Sequence, residues 1–152
     1  MGRTKKIKIG ILFFAVLIIA LAFNNAKNKD TTKIISKKDN VIELIILYEN
    51  LTTQTFTRVA CDELEQIFDK VLKKKILKDK SRISEITESI DRAVRQGNYT
   101  ENIDVRFKMI LIYQSEKSDT ICGNGSVISV KNKNYRIDKD FTNLLKNLTD
   151  TE

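Results

Sequence analysis

Cys61 and Cys122 are the only thiols in this 152-residue chain, and the chain has no histidine. Those two facts remove most side-chain chemistry. Without an imidazole there is no Ser-His-Asp or Cys-His catalytic set and no HExxH zinc site. A reactive cysteine would lack its usual base, and two cysteines cannot build a four-cysteine metal site. In an oxidising compartment the pair is a candidate disulfide, Cys61 to Cys122. The other reading is two separate buried thiols acting as small hydrophobes.

The carboxylates offer little more. Glu63 and Glu65 do not share a helix face, whereas Glu85 and Glu88 do at i,i+3, as the wet side of an amphipathic helix would. Neither pair has the signature of a glycosidase-type site. No GxGxxG or GxxxxGK[ST] run occurs, and CGNGS at 122–126 reads as a hairpin bulge before it reads as an anion nest. The expectation is therefore a non-enzymatic chain with no cofactor and no metal.

The net charge of +7 is unevenly placed. Residues 1–30 hold +5 and residues 31–39 hold +2, so residues 40–152 are neutral overall. The domain proper has no net field to attract a polyanion, and nucleic acid is not an expected partner. Among its basic residues, Arg106 and Lys108 alternate with apolar neighbours along a strand, and Lys131 and Lys133 occupy a turn. These four are the candidate interaction surface.

The elements that would position these residues follow from periodicity. Val41–Tyr48 is β-branched and almost continuously apolar, a strand covered on both faces. After a turn at 49–52, residues 53–59 read as a returning strand. Residues 62–76 carry apolar side chains at Leu64, Ile67, Phe68, Val71, Leu72 and Ile76, with Asp62 and Glu65 spaced as a capping box, so a helix is expected. A second helix over 81–95 has its stripe at Ile83, Ile86, Ile90 and Val94 and ends at Gly97. Residues 103–114 alternate as a strand, with Asp104, Arg106 and Lys108 on the polar face. Strand segments at 120–122, 126–130 and 135–137 follow, and a short helix capped by Asp138 or Asp140 closes the chain. The expected fold is α+β, a small, largely antiparallel sheet with two or three helices on one face in the order ββααβββα, preceded by an N-terminal hydrophobic helix.

That N-terminal helix concerns destination. Residues 1–8 are a basic n-region, residues 9–23 carry no charge, residues 24–39 are a polar basic linker, and residues 40–150 form a single exported domain. Fifteen residues of helix span about 22 Å, short of a hydrocarbon core of roughly 30 Å. The run is thus either a transmembrane anchor or the apolar part of a signal peptide, with Ala20 and Ala22 flanking Leu21 as a cleavage site. The positive-inside rule puts the C-terminal domain outside. The layout resembles that of small bacterial proteins, exported or membrane-anchored, that pair one N-terminal segment with a compact α+β domain. It implies single-pass location at the cell membrane through residues 9–23, or secreted or periplasmic location after cleavage. The expected function is non-catalytic protein–protein interaction at the cell envelope, with sheet edges available to a partner strand. The alternatives are an inhibitor or immunity-type protein against a toxin or hydrolase, and a carboxylate-based hydrolase.

Overall fold

The computed structural model describes residues 40–150. The n-region, the hydrophobic helix and the linker expected over residues 1–39 lie outside the described residues. The described chain runs β1 (Val41–Tyr48), α1 (Leu64–Ile67), β2 (Lys73–Leu77), α2 (Lys80–Arg95), β3 (Asn98–Tyr99), β4 (Phe107–Tyr113), β5 (Ser118–Gly123), β6 (Val127–Val130), β7 (Lys133–Arg136) and α3 (Lys139–Thr149). All seven strands form one sheet in the order β2-β1-β4-β5-β6-β7-β3, every pair antiparallel. It is a small α+β domain.

Alternation sorts the two faces. Leu44, Ile46 and Tyr48 of β1 and Phe107, Met109, Leu111 and Tyr113 of β4 are buried on one face, beneath α2 and α3. Helix α2 supplies Ile83, Ile86, Ile90, Ala93 and Val94, and α3 supplies Phe141, Leu144, Leu145 and Leu148. Each such side chain contributes about 1.5–3 kcal/mol of burial. Both helices start on an aspartate cap: Asp79 accepts from the Arg82 N–H at 2.8 Å and Asp138 from the Phe141 N–H at 2.7 Å. Gly97, at φ 103°, lets the chain leave α2. The Lys75 ammonium donates to the Leu148 carbonyl at 2.9 Å, satisfying an end group of α3 and tying it to β2. A second, smaller core lies on the opposite face, where Val59, Leu64, Phe68, Val105 and Cys122 are buried together.

Several expectations are corrected. Residues 53–59 form no strand, because both edges of β1 are taken, one by β2 and the other by β4. The helix expected over 62–76 shrinks to the single turn of α1, and its capping box does not form: Glu63 is the N-cap and makes no side-chain cap. Lys73–Leu77 pairs with β1 instead, since a row of backbone groups beside an open strand edge outweighs a local helical pattern. Only Leu64 and Phe68 of the presumed stripe are buried, while Ile67, Val71 and Ile76 are exposed. The strand expected from 103 begins at Phe107, and the short edge strand β3 was not anticipated. The order ββααβββα is therefore not the observed one. The expectation of a membrane partner and of single-pass location at the cell membrane is corrected as well. Among the described residues no helix is long and apolar enough to cross a membrane, and residues 9–23, which prompted that reading, are outside them.

One position tests the packing where β5 turns into β6. A Cβ on Gly123 would stand 2.6 Å from the Val127 carbonyl oxygen and 2.7 Å from Phe107 Cζ. Gly123→Ala should lower stability by about 1–3 kcal/mol, read as a fall in the urea midpoint at unchanged m-value.

Candidate recognition loop

Residues 49–60 connect β1 to α1 across the end of the sheet where β4 begins. The loop opens on an Asx turn: Asn50 Oδ1 accepts from the Thr52 N–H at 3.0 Å and from the Thr52 hydroxyl at 2.8 Å, and the Thr53 N–H reaches the Asn50 carbonyl at 2.9 Å. At the far end the Val59 N–H donates to Asp104 Oδ1 at 2.9 Å, the Val105 N–H donates to the Val59 carbonyl at 3.0 Å, and Cys61 is bonded to Cys122 on β5. Both ends are thus fastened to the sheet.

Beneath the loop lies Arg106, only 2% exposed. Its Nε donates to the Thr53 carbonyl at 2.7 Å. One terminal nitrogen donates to Asp104 Oδ1 at 2.8 Å and to the Val105 carbonyl at 2.7 Å. The other donates to Thr55 Oγ1 at 3.0 Å and to Asp104 Oδ2. All five guanidinium donors are engaged, and the ion pair with Asp104 is bidentate. The Phe68 ring stands 5.6 Å below the guanidinium carbon. Thr55 passes the connection outward, since its hydroxyl donates to the Thr57 carbonyl at 2.7 Å. Held between Thr55 and Thr57 is Phe56, at 111% relative exposure the most exposed large apolar side chain of the described residues. Arg58 beside it is also exposed. Leu51, Thr52, Thr53 and Gln54 on one side, and Asp104, Arg106, Asn124, Gly125 and Ser126 on the other, enclose an open depression of about 280 Å³.

The four basic residues expected to form one surface do not meet. Arg106 is interior. Lys108 is partly covered and pairs with Glu65 at 2.7 Å. Lys131 and Lys133 are exposed at the β6–β7 turn, at the far end of β6 from Ser126. There Lys131 and Asn132 both have positive φ, 49° and 62°, as a two-residue hairpin requires. On β7, Arg136 lies over the Tyr99 ring at 4.6 Å, and its hydrogen bond to the Tyr99 hydroxyl raises the guanidinium pKa.

The expected disulfide between Cys61 and Cys122 is present, with Cα atoms 5.7 Å apart. The acids sit in local contacts: Glu63 accepts from the Ala60 N–H, Glu65 binds Lys108, Glu85 faces Arg82 and Glu88 accepts from Ser84. Among the described residues, no group of three or more His, Cys, Asp and Glu side chains could hold a metal ion. In 122–126, Asn124 Oδ1 accepts from the Ser126 and Val127 N–H groups, which makes a hairpin turn. The loop itself was missed. Its signals were a lone phenylalanine among threonines and glutamine in TQTFTR, with no apolar partner at i±2, and a carboxylate and guanidinium at i,i+2, Asp104 and Arg106.

Two outcomes check this architecture. Arg106→Met should leave amide exchange slow in β1, β4 and β5 and speed it about tenfold or more over residues 50–59, because loop order depends on those five bonds. Replacing both cysteines by serine should cost about 4 kcal/mol for a closed loop of this length, read by chemical denaturation.

No protein-family model matches the chain, and no match was found among curated proteins or solved structures.

Proposed function

We propose that the chain is a secreted or periplasmic binding domain of the inhibitor or immunity type, which acts by presenting residues 50–59 to a protein partner. The observation that carries this reading is Phe56, fully in water on a loop braced by a buried guanidinium. Aromatic side chains are enriched among the residues that carry binding energy at interfaces, and an exposed one held on an ordered loop is suited to fill a partner's pocket. A loop already held in shape loses little conformational entropy on docking, so more of the contact energy appears as affinity.

The sheet edges favour this surface over strand addition. β2 carries Lys73, Lys74 and Lys75 in succession, and lysines blunt an edge against pairing; β3 is two residues long. The individually engaged carboxylates give no support to a hydrolase. The disulfide supports an oxidising compartment.

The test titrates the protein against extracellular hydrolases of several classes, namely peptidases, glycosidases and nucleases, and measures residual activity. One of them should be inhibited at near-stoichiometric ratio. Phe56→Ala should weaken that inhibition at least about tenfold, the usual loss at an anchor, with no change in thermal midpoint. Inhibition indifferent to Phe56→Ala, or none across the panel, would refute the reading.

A further inference from the structure

Resting on that reading, we infer that the partner is an endopeptidase with an apolar primary specificity pocket, entered by Phe56, with the bond between Phe56 and Thr57 at the scissile position. Three features of the loop carry the assignment.

The first is the main chain. Among the described residues, Gln54, Thr55, Phe56, Thr57 and Arg58 make no backbone–backbone hydrogen bond. Apart from the Thr57 carbonyl, which accepts from the Thr55 hydroxyl, their amides and carbonyls are open to the strand-like pairing by which a peptidase cleft holds a substrate. A glycosidase or nuclease cleft has no comparable use for a peptide backbone.

The second is the restraint on both sides of the bond. On the amino side, Arg106 holds the Thr53 carbonyl and the Thr55 hydroxyl, and β1 is paired on both edges, to β2 and to β4. On the carboxyl side, the Val59 N–H is held by Asp104, and Cys61 is bonded to β5. The Thr55 hydroxyl spans the bond by donating to the Thr57 carbonyl.

The third is the consequence for hydrolysis. The peptidase would add water across the amide: the C–N bond breaks, the water oxygen joins the Phe56 carbonyl carbon as a carboxylate, and the Thr57 nitrogen leaves as an ammonium. Nothing is oxidised or reduced. In a free peptide the two ends then diffuse apart. Here each end stays fastened, so the new amine remains beside the acyl carbon and resynthesis competes with release. At effective concentrations typical of held reactants, that competition turns a substrate into an inhibitor.

The experiment uses the full-length protein with two purified endopeptidases, one preferring aromatic and one preferring basic residues before the scissile bond, and a glycosidase as control. Inhibition of the aromatic-preferring enzyme is expected. With it should come slow accumulation of a species heavier by one water in native mass spectrometry, which separates on denaturation into fragments ending at Phe56 and beginning at Thr57. Phe56→Lys should transfer inhibition to the basic-preferring enzyme. Thr55→Val removes the acceptor of one Arg106 N–H and should lower the thermal midpoint by a few degrees while the protein stays folded at assay temperature; cleavage should become about tenfold faster or more, and Arg106→Met should speed it further. Rapid cleavage of the native protein with no inhibition would overturn the inference, as would inhibition that Phe56→Lys abolishes for both enzymes. Phe56-dependent inhibition of the glycosidase alone would overturn it too, yet leave the inhibitor reading standing.

Discussion

A guanidinium taken out of water must find an acceptor for each of its five N–H groups, because each one left over costs about 1–3 kcal/mol. Arg106 meets that demand with Asp104, the Val105 carbonyl, and two groups borrowed from the loop, the Thr53 carbonyl and the Thr55 hydroxyl. The loop is therefore a condition of burying the arginine as much as the arginine is a support for the loop. Asp104 serves twice, binding Arg106 and receiving the Val59 N–H, so one carboxylate couples the interior charge to the end of the loop. Removing any member leaves another without a partner, which makes the arrangement cooperative.

The sheet makes this geometry available. β1 is paired along both edges, so the chain leaving it at Glu49 has no strand beside it to join. It must cross the end of the sheet, and it crosses where Arg106 stands, just before β4. The Glu49 N–H donates to the Arg106 carbonyl at 2.9 Å and the Arg106 N–H to the Gly123 carbonyl at 2.7 Å. Arg106 thus holds position through its main chain and the loop through its side chain. The disulfide closes the circuit by bringing the loop's exit onto β5, over a small core of Val59, Leu64, Phe68 and Val105. What emerges is a firm frame around one side chain, Phe56, that the fold does not use.

The elements that could be read from sequence are those whose signals are local. α2 and α3 combine an aspartate cap with an apolar stripe at helical spacing, and both form within a residue or two of expectation. β1 shows as an apolar β-branched run, and the turn at 124–126 shows in its asparagine and glycine. Residues 53–77 were misread for the opposite reason. Their stripe at Leu64, Phe68 and Leu72 fits a helix, and TQTFT fits a strand, but neither fit counts the open edge of β1. Once that edge takes Lys73–Leu77, the helix is left with a single turn and residues 53–59 with no partner. Arg106 was misplaced because alternation along 103–114 assigns it to a face without saying what covers that face.

By itself the sequence determined the exclusion of histidine chemistry, the neutrality of residues 40–152, the α+β class, the two main helices and the availability of one disulfide. Each depends on composition or on residues within a few positions of one another. The tertiary structure alone decided that β2 would be a strand, that Arg106 would be interior and that Phe56 would stand in water. Those outcomes depend on partners far apart in the chain: the bonds from Arg106 to Thr53 and Thr55 reach across 53 and 51 residues, and the disulfide spans 61. Burial and pairing are properties of what lies alongside in space, and a local pattern carries no record of it.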